Sequence, residues 1–359
     1  MDIVTHGLAS LAVARAFFPR ARKRAAVTAV VAGILPDVDW LSSLFGPAAY
    51  FSWHGTYTHS ILAALLVVSI IPAILLGIYL VQRNIAIAII PQNGEELPTD
   101  PQAITKYVSR TAGAVFLAAP LSAALLHLAM DACQSDGVAL LWPFTNKRFA
   151  ADCLPSLDPW ILTILIAAIA LPELLHLVSS EIGAKAKKPR GQTGAIVGLV
   201  LVLAYVGVRA TLHTNAMAML QARTYRGETP RRTSAFPESA SLLTWRGIVE
   251  TEGALHEIAV DVTAGSSFDA ESGLNIFKPE PSAVLDSARN TDAARKFLGV
   301  ARFPKANVEK TDTGYVVELR DLRYSVADEK KHEVTVVIEL DPAGKVKNQE
   351  FTWARDLHH

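Results

Sequence analysis

Residues 60–81 read SILAALLVVSIIPAILLGIYLV and contain no charge. A helix of that length crosses a hydrocarbon core, which takes about 20 residues, and the single internal proline is tolerated in a membrane span. Working outward, Thr111–Met130, Trp160–Ser180 and Gly194–His213 have similar length and are broken only by small or polar residues and an occasional proline. They read as spans too. Toward the start, Thr5–Phe18 and Ala25–Leu35 are apolar but short, with the basic cluster Arg20, Arg22, Lys23 and Arg24 between them. Thin spans and a re-entrant helical pair both fit them. The basic charges follow the first apolar stretch instead of preceding it, so residues 1–18 lack the order of a cleaved signal peptide and retention of Met1 onwards is expected. The expected fold is a mainly α membrane protein of about six apolar helices, four clear spans plus a short N-terminal helical pair, with a C-terminal soluble α+β domain.

Composition agrees with this. The chain has 359 residues, 51% of them hydrophobic, and a mean hydropathy of +0.28, too apolar for an ordinary soluble domain. Lys plus Arg and Asp plus Glu number 34 each. With no net positive field, nucleic acid is not an expected partner. Cys133 and Cys153 fall in one connecting region, and a single pair is no disulfide framework, so pairing stays open.

Orientation follows from Lys and Arg in the short loops, which favour the cytoplasmic side. One set of loops holds Arg15, Arg20, Arg22, Lys23, Arg24, Arg83, Lys106, Arg110, Lys185, Lys187, Lys188 and Arg190; the other holds only Lys147 and Arg148. Placing the first set inside puts residues 37–59 and 131–158, together with the start of the chain, outside. After His213 the chain turns polar, then alternates in β fashion, with strands expected at His256–Val262, Tyr315–Leu319, Glu333–Leu340 and Val346–Trp353, a turn at Asp341–Lys345 and a helix over Ser287–Leu298. The expected division is a helical membrane domain over 1–220 with the metal site and an extracytoplasmic α+β domain over 221–359.

Eight residues then share the outer face: His6, Asp37, Asp39, His54, His59, His127, Asp131 and Asp158. Positive charges alone set the topology, so the arrival of these groups on one side is an independent agreement. His127 and Asp131, four apart, share a helical face, from which they can hold one ion or staple helices through a hydrogen bond. His54 and His59, five apart in WHGTYTHS, cannot align on a helix, but a loop can fold one toward the other; an aromatic interfacial loop is the plainer account. Asp37 and Asp39 follow Pro36 in ILPDVDW, where the proline is expected to end any helix and leave the carboxylates on an extended segment. His6 and Asp158 begin apolar stretches, as ordinary helix-start residues also do. Three to five His and Asp ligands with an open position make a hydrolytic zinc site, and eight candidates exceed one ion's needs. Glu173 and His176, deep in the fifth apolar segment, seal a helix interface or touch the site's floor. Arg209 and His213 meet an anionic group or snorkel to headgroups.

MDIVTHGLAS, ILPDVDW, HGTYTHS, HLAMD and DGVALLWPFTNKRFAADCLPSLDP together resemble, in order and spacing, the YdjM-like family of predicted membrane-bound metal-dependent hydrolases. They match its M-D-x-x-T-H-x-L, L-P-D-x-D, H-R-x-x-T-H-S, H-x-x-x-D and R-F-x-x-D-x-x-x-x-x-D-P pieces, with Gly55 where arginine is usual and Asp152 joining Asp158. WRGIVE is similar to a fragment of the family's outer domain. The resemblance implies a divalent-metal hydrolase of the bacterial inner membrane, with zinc the foremost metal and one to three ions, in a pattern distantly similar to the helical zinc-dependent phospholipases C. In that reading His6, Asp37, His54, His59, His127 and Asp131 hold metal, and Asp39 or Asp158 accepts a proton from water attacking an ester or phosphodiester of a lipid or lipid-linked substrate. The rival readings are a transporter or ion-binding membrane protein, whose ligands should spread through the membrane depth, and a metal-dependent sensor or scaffold without turnover.

Overall fold

Asp2 accepts the backbone N–H of Thr5 at 2.9 Å and so caps α1 (Ile3–Phe17), the first element of a computed structural model that describes residues 1–19, 22–66, 70, 113–181, 191–263, 268–324 and 333–353. The buried face of α1 is built from Ala9, Ala12, Ala14 and Ala16 with His6 and Ser10. Such small residues let α2 (Arg22–Ile34) and α4 (Ala119–Ala132) approach closely, and Ala25, Ala29, Ala119 and Ala123 complete the seam. Contact is tightest at Gly33, where an added Cβ would lie 1.8 Å from Ser10 Oγ. Thr28 Oγ1 reaches across to donate to the carbonyl of Val115 at 2.8 Å.

Past Ile34 the chain does not become extended. It tightens into a 3-10 helix, Leu35–Phe45, so the expectation of an extended Asp37–Asp39 segment is corrected. Pro36 lies at its second position, where α2 passes into the 3-10 helix, and it withholds one N–H from the last carbonyls of α2 without ending the helical path. The consequence is length. Lys23–Phe45 becomes one of three helices, among the described residues, long and apolar enough to cross a membrane; Val115–Ala132 and Gln192–Gln221 are the others, while Ile3–Phe17 and Pro159–Leu175 are shorter apolar helices. The expected count of six apolar helices cannot be taken over as it stood, because most of the Ser60–Val81 span lies outside the described residues.

The helix α3 (Pro47–Trp53) follows the 3-10 helix, and α5 (Pro159–Glu181) packs on α6 (Gln192–Gln221) through Gly194 and Gly198. A Cβ on these two glycines would stand 2.4 Å from Pro172 Cγ and 2.3 Å from Ala168 Cβ, the backbone proximity that a G-x-x-x-G spacing provides. Glu173 pairs with Arg15 at 3.3 Å, sealing α1 to α5. The side chain of His176 lies outside those described.

Two compact units divide the chain: Met1–Asp39 with Gly55–Val208, and Trp40–His54 with Arg209–His359. The second unit therefore takes up the last turns of α6 and a segment from the N-terminal half. It contains two four-stranded antiparallel sheets, β1 (Arg232–Pro237), β2 (Thr244–Glu250), β3 (Ala254–Asp261) and β4 (Leu274–Phe277) in one, then, after α7 (Ala283–Arg289) and α8 (Asp292–Leu298), β5 (Pro304–Thr311), β6 (Gly314–Asp321), β7 (Val334–Leu340) and β8 (Val346–Trp353) in the other. Each sheet follows chain order. Leu220 and Tyr225 pack with Trp245, Val249 and Ile258 on the first sheet, and Leu285, Ala294 and Phe297 with Val317, Val336 and Ile338 on the second. Phe51 of α3 joins that second core, its ring 5.5 Å from those of Phe297 and Phe351. Arg209 does not snorkel: it is buried, donates to the carbonyls of Ser241 and Leu242, and lies 4.5 Å above the ring of Trp245.

Candidate metal centre

α4 is the backbone of the site. Its i, i+4 spacing sets His127 Nε2 3.1 Å from Asp131 Oδ2. The other ring nitrogen, Nδ1, donates to the carbonyl of Gly33 at 2.7 Å, which fixes the tautomer and leaves Nε2 with a bare lone pair. His59, in the turn after Gly55, reaches the same oxygens from another side. Its Nε2 lies 3.2 Å from Asp131 Oδ2 and 3.6 Å from Asp37 Oδ1; His127 Nε2 is 3.7 Å from that Asp37 oxygen. His6 closes the cluster from α1, with Nε2 3.0 Å from Asp131 Oδ1 and its ring stacked on His127 at 3.7 Å. Gln134 Nε2 donates to Asp131 Oδ1 at 2.6 Å, and the amino group of Met1 contacts the same atom.

Asp39 stands behind His59. Its Oδ2 accepts the N–H of Gly55 at 3.0 Å and the hydroxyl of Thr58 at 2.7 Å, and lies 3.0 Å from His59 Nδ1. A carboxylate on the far nitrogen of an imidazole orients the near nitrogen and raises its basicity. Burial opposes protonation of His59, but the carboxylates of Asp131, Asp37 and Asp39 outweigh it and hold its pKa well above 6.5.

The donor set suits a cation. His6, Asp37, His127 and Asp131 are all buried, and one ligand atom from each lies within 4.8 Å of the others. Bonds of about 2.0–2.2 Å to a tetrahedral zinc-sized ion set ligand atoms roughly 3.3–3.6 Å apart, so the group would draw inward to close on one. Three buried polar atoms here make no hydrogen bond: His6 Nδ1, Asp37 Oδ2 and His127 Nε2. Buried polar atoms are nearly always paired, and an acceptor set against another acceptor, as His127 Nε2 is against Asp131 Oδ2, is what a bound cation satisfies. This buried His6/Asp37/His127/Asp131 group could hold a metal ion.

Two expected site residues make other contacts. His54 belongs to the second unit, its ring stacked on Tyr50 at 4.8 Å. Asp158 caps α5: Oδ1 accepts the N–H groups of Trp160 and Ile161 at 3.0 and 3.1 Å, and Oδ2 the hydroxyl of Tyr205 at 2.8 Å. Asp152 is buried with a φ of 53°, on a strand of chain whose neighbours Ala151 and Cys153 donate to Ala132 and Cys133 at the end of α4. Sequence reasoning missed Gly33, Thr58 and Gln134. Only Gln134 carried a signal, its place one turn beyond Asp131. At Gly55, with φ of 68°, a Cβ would meet Arg148 Nη1 at 3.2 Å, and Arg148 Nη2 donates to Thr56 Oγ1 at 3.0 Å. A guanidinium from residue 148 thus lies beside Gly55.

Residues 1–216 match the family model described as YdjM inner membrane protein, and residues 283–358 match the YfhP C-terminal alpha/beta plait domain. Comparison with curated proteins and with solved structures gives no significant match. The first match spans more than half of the chain, which therefore belongs to the YdjM inner membrane protein family.

Proposed function

We propose that the protein is a membrane-bound metal-dependent hydrolase acting on a phosphodiester or ester of a lipid or lipid-linked substrate. The observation that carries this reading is the buried group of His6, Asp37, His127 and Asp131, which brings one ligand atom from each within 4.8 Å of the others. His6, Asp37, His59, His127 and Asp131 hold the cation, zinc by the mix of imidazole and carboxylate donors. A divalent ion bound there supplies Lewis acidity that brings the pKa of water toward about 7.

The chain's own residues do the rest. Asp39 keeps the His59 imidazole turned so that Nε2 faces Asp37 and Asp131. Asp37 Oδ1 faces both histidines and would face the cation with them, which leaves the buried Oδ2 to take the proton as the water oxygen adds to phosphorus or to the carbonyl carbon. The same proton passes to the oxygen that leaves. Asp39 and Asp158, the acceptors expected from sequence, are each engaged by three donors and serve here as a positioning residue and a helix cap. Arg148, beside Gly55, favours an anionic substrate, a phosphodiester over a carboxylic ester.

Positive charges of the short loops support a multi-pass arrangement with the metal centre and the C-terminal domain outside the cytoplasm. Metal analysis of the purified chain, with phospholipid and phosphodiester turnover for wild type and Asp131→Asn, tests the reading. Stoichiometric metal and turnover that both vanish in the variant support it. Bound metal without turnover on any of these substrates overturns it.

A further inference from the structure

The 3-10 helix that carries Asp37 and Asp39 has three residues per turn, so side chains three apart line up. Pro36, Asp39 and Ser42 form a buried line; Val38, Leu41 and Leu44 form an exposed one. The ligand-bearing helix therefore shows an apolar ridge on its outside. Exposure continues through Trp40, Phe45 and Trp53, with Leu44 75% and Phe45 80% exposed. From Trp40 to Trp53 the chain reads WLSSLFGPAAYFSW, fourteen residues with no charge in a protein that is 19% charged. Its inner side is already used, since Tyr50 packs near Trp353 and Phe51 against Phe297 and Phe351. An outward apolar patch bounded by two tryptophans suits the boundary between headgroups and acyl chains. The patch also continues directly from a helix, Lys23–Phe45, long and apolar enough to cross a membrane.

We propose that the Val38–Leu41–Leu44 ridge and the Trp40–Trp53 segment lie in the headgroup–acyl boundary of a phospholipid leaflet, and that substrate enters laterally along this ridge to Asp37 and Asp39. The second clause rests on the hydrolase reading; the first does not. The segment leaves the first unit at Asp39 and returns at Gly55, whose N–H donates to the Asp39 carboxylate, so its root is a hydrogen bond of the metal centre's own surroundings. It holds no basic residue, so insertion is driven by apolar area and is indifferent to anionic lipid and to salt.

The test uses the full chain in phosphatidylcholine bilayers with bromine, a fluorescence quencher, placed either near the headgroup end or near the tail end of the acyl chains. The contribution of Trp40 and Trp53 is taken by difference from a Trp40→Phe, Trp53→Phe variant. Strong quenching by bromine near the headgroup end, with little quenching by aqueous iodide, is expected. Quenching by iodide and not by bromine overturns the membrane position. For lateral entry, Leu41→Ser with Leu44→Ser lowers kcat/KM about tenfold on a bilayer-borne substrate and leaves a short-chain soluble analogue unchanged. Equal loss on both overturns it. Absence of turnover by the wild-type chain on either substrate overturns the hydrolase reading and with it lateral entry, while the bromine result still decides where the segment lies.

Discussion

His59 Nδ1 lies 3.0 Å from Asp39 Oδ2, and the opposite nitrogen of the same ring lies 3.2 Å from Asp131 Oδ2. One imidazole is thus held by one carboxylate and aimed at another. Asp39→Asn keeps the shape but weakens the hold, so metal affinity falls by about 10–100-fold with stoichiometry unchanged. Competition against a chromophoric chelator measures this. Unchanged affinity would show that Asp39 does not act through His59.

Gly33 has two duties at one position: its carbonyl takes the His127 N–H, and its missing side chain makes room for Ser10. Gly33→Ala forces α1 and α2 apart, at a cost of about 1–3 kcal/mol in stability, and displaces the carbonyl that orients His127. Both thermal stability and metal affinity should drop. Ser10→Gly in the same chain should restore part of each, and a double variant no better than the single one would sink the account.

Asp158 is a cap in the structure, and its variants separate that duty from catalysis. Asp158→Ala should lower stability by about 1–2 kcal/mol while metal content stays at the wild-type value. Tyr205→Phe, which removes one donor from the same carboxylate, should cost about 1 kcal/mol. Loss of turnover in Asp158→Asn at undiminished stability would return the residue to the chemistry.

In the second unit the Asp321 carboxylate is buried and accepts the N–H groups of Arg302, Phe303 and Arg323, with Arg323 Nε at 2.7 Å. Burial alone would raise its pKa, but the Arg323 charge and the backbone donors bring it below the usual carboxylate value. A depressed pKa contributes stability that is present above the unfolded value of about 3.9 and lost as pH falls through the lower folded value. Asp321→Asn should destabilise the unit by about 3–5 kcal/mol at neutral pH, since it leaves Arg323 buried without its counter-charge. Denaturant titrations at pH 7 and below pH 4 check this. The gap between wild type and variant must narrow in acid.

The long apolar stretches that became α4 and α6, and the pairing of His127 with Asp131, were legible because each is a local pattern of period 3.6 or of unbroken hydrophobicity. His6 and Asp37 were legible as candidate ligands by residue type and place, and the structure groups them with His127 and Asp131. Less visible was the 3-10 helix after Pro36, since a proline at a helix start and one that breaks a helix look alike in sequence. The surroundings of His54 were hidden for a different reason: the α3 helix before it is held by aromatic rings from Phe297 to Trp353, some 240 residues or more along the chain, which no local window contains. In the first sheet β3 was legible, but β1 and β2 escaped for want of alternation, as β1 reads RTSAFP and β2 TWRGIVE with three buried residues in a row. Asp158 fits a cap and a base equally well on paper, and the three donors around its carboxylate are not visible in sequence.

The seam of Ala14, Ala25, Ala29, Ala119 and Ala123 has a consequence for which ions the centre admits. Methyl groups have no rotamers to yield, so the helices bearing His6 and His127 separate only by moving as rods. A cation of larger ionic radius such as calcium, whose bonds run to about 2.3–2.6 Å, would have to prise those rods further apart than zinc at about 2.0–2.2 Å. Selection among metals would then be mechanical, a matter of how far alanine will let two helices part.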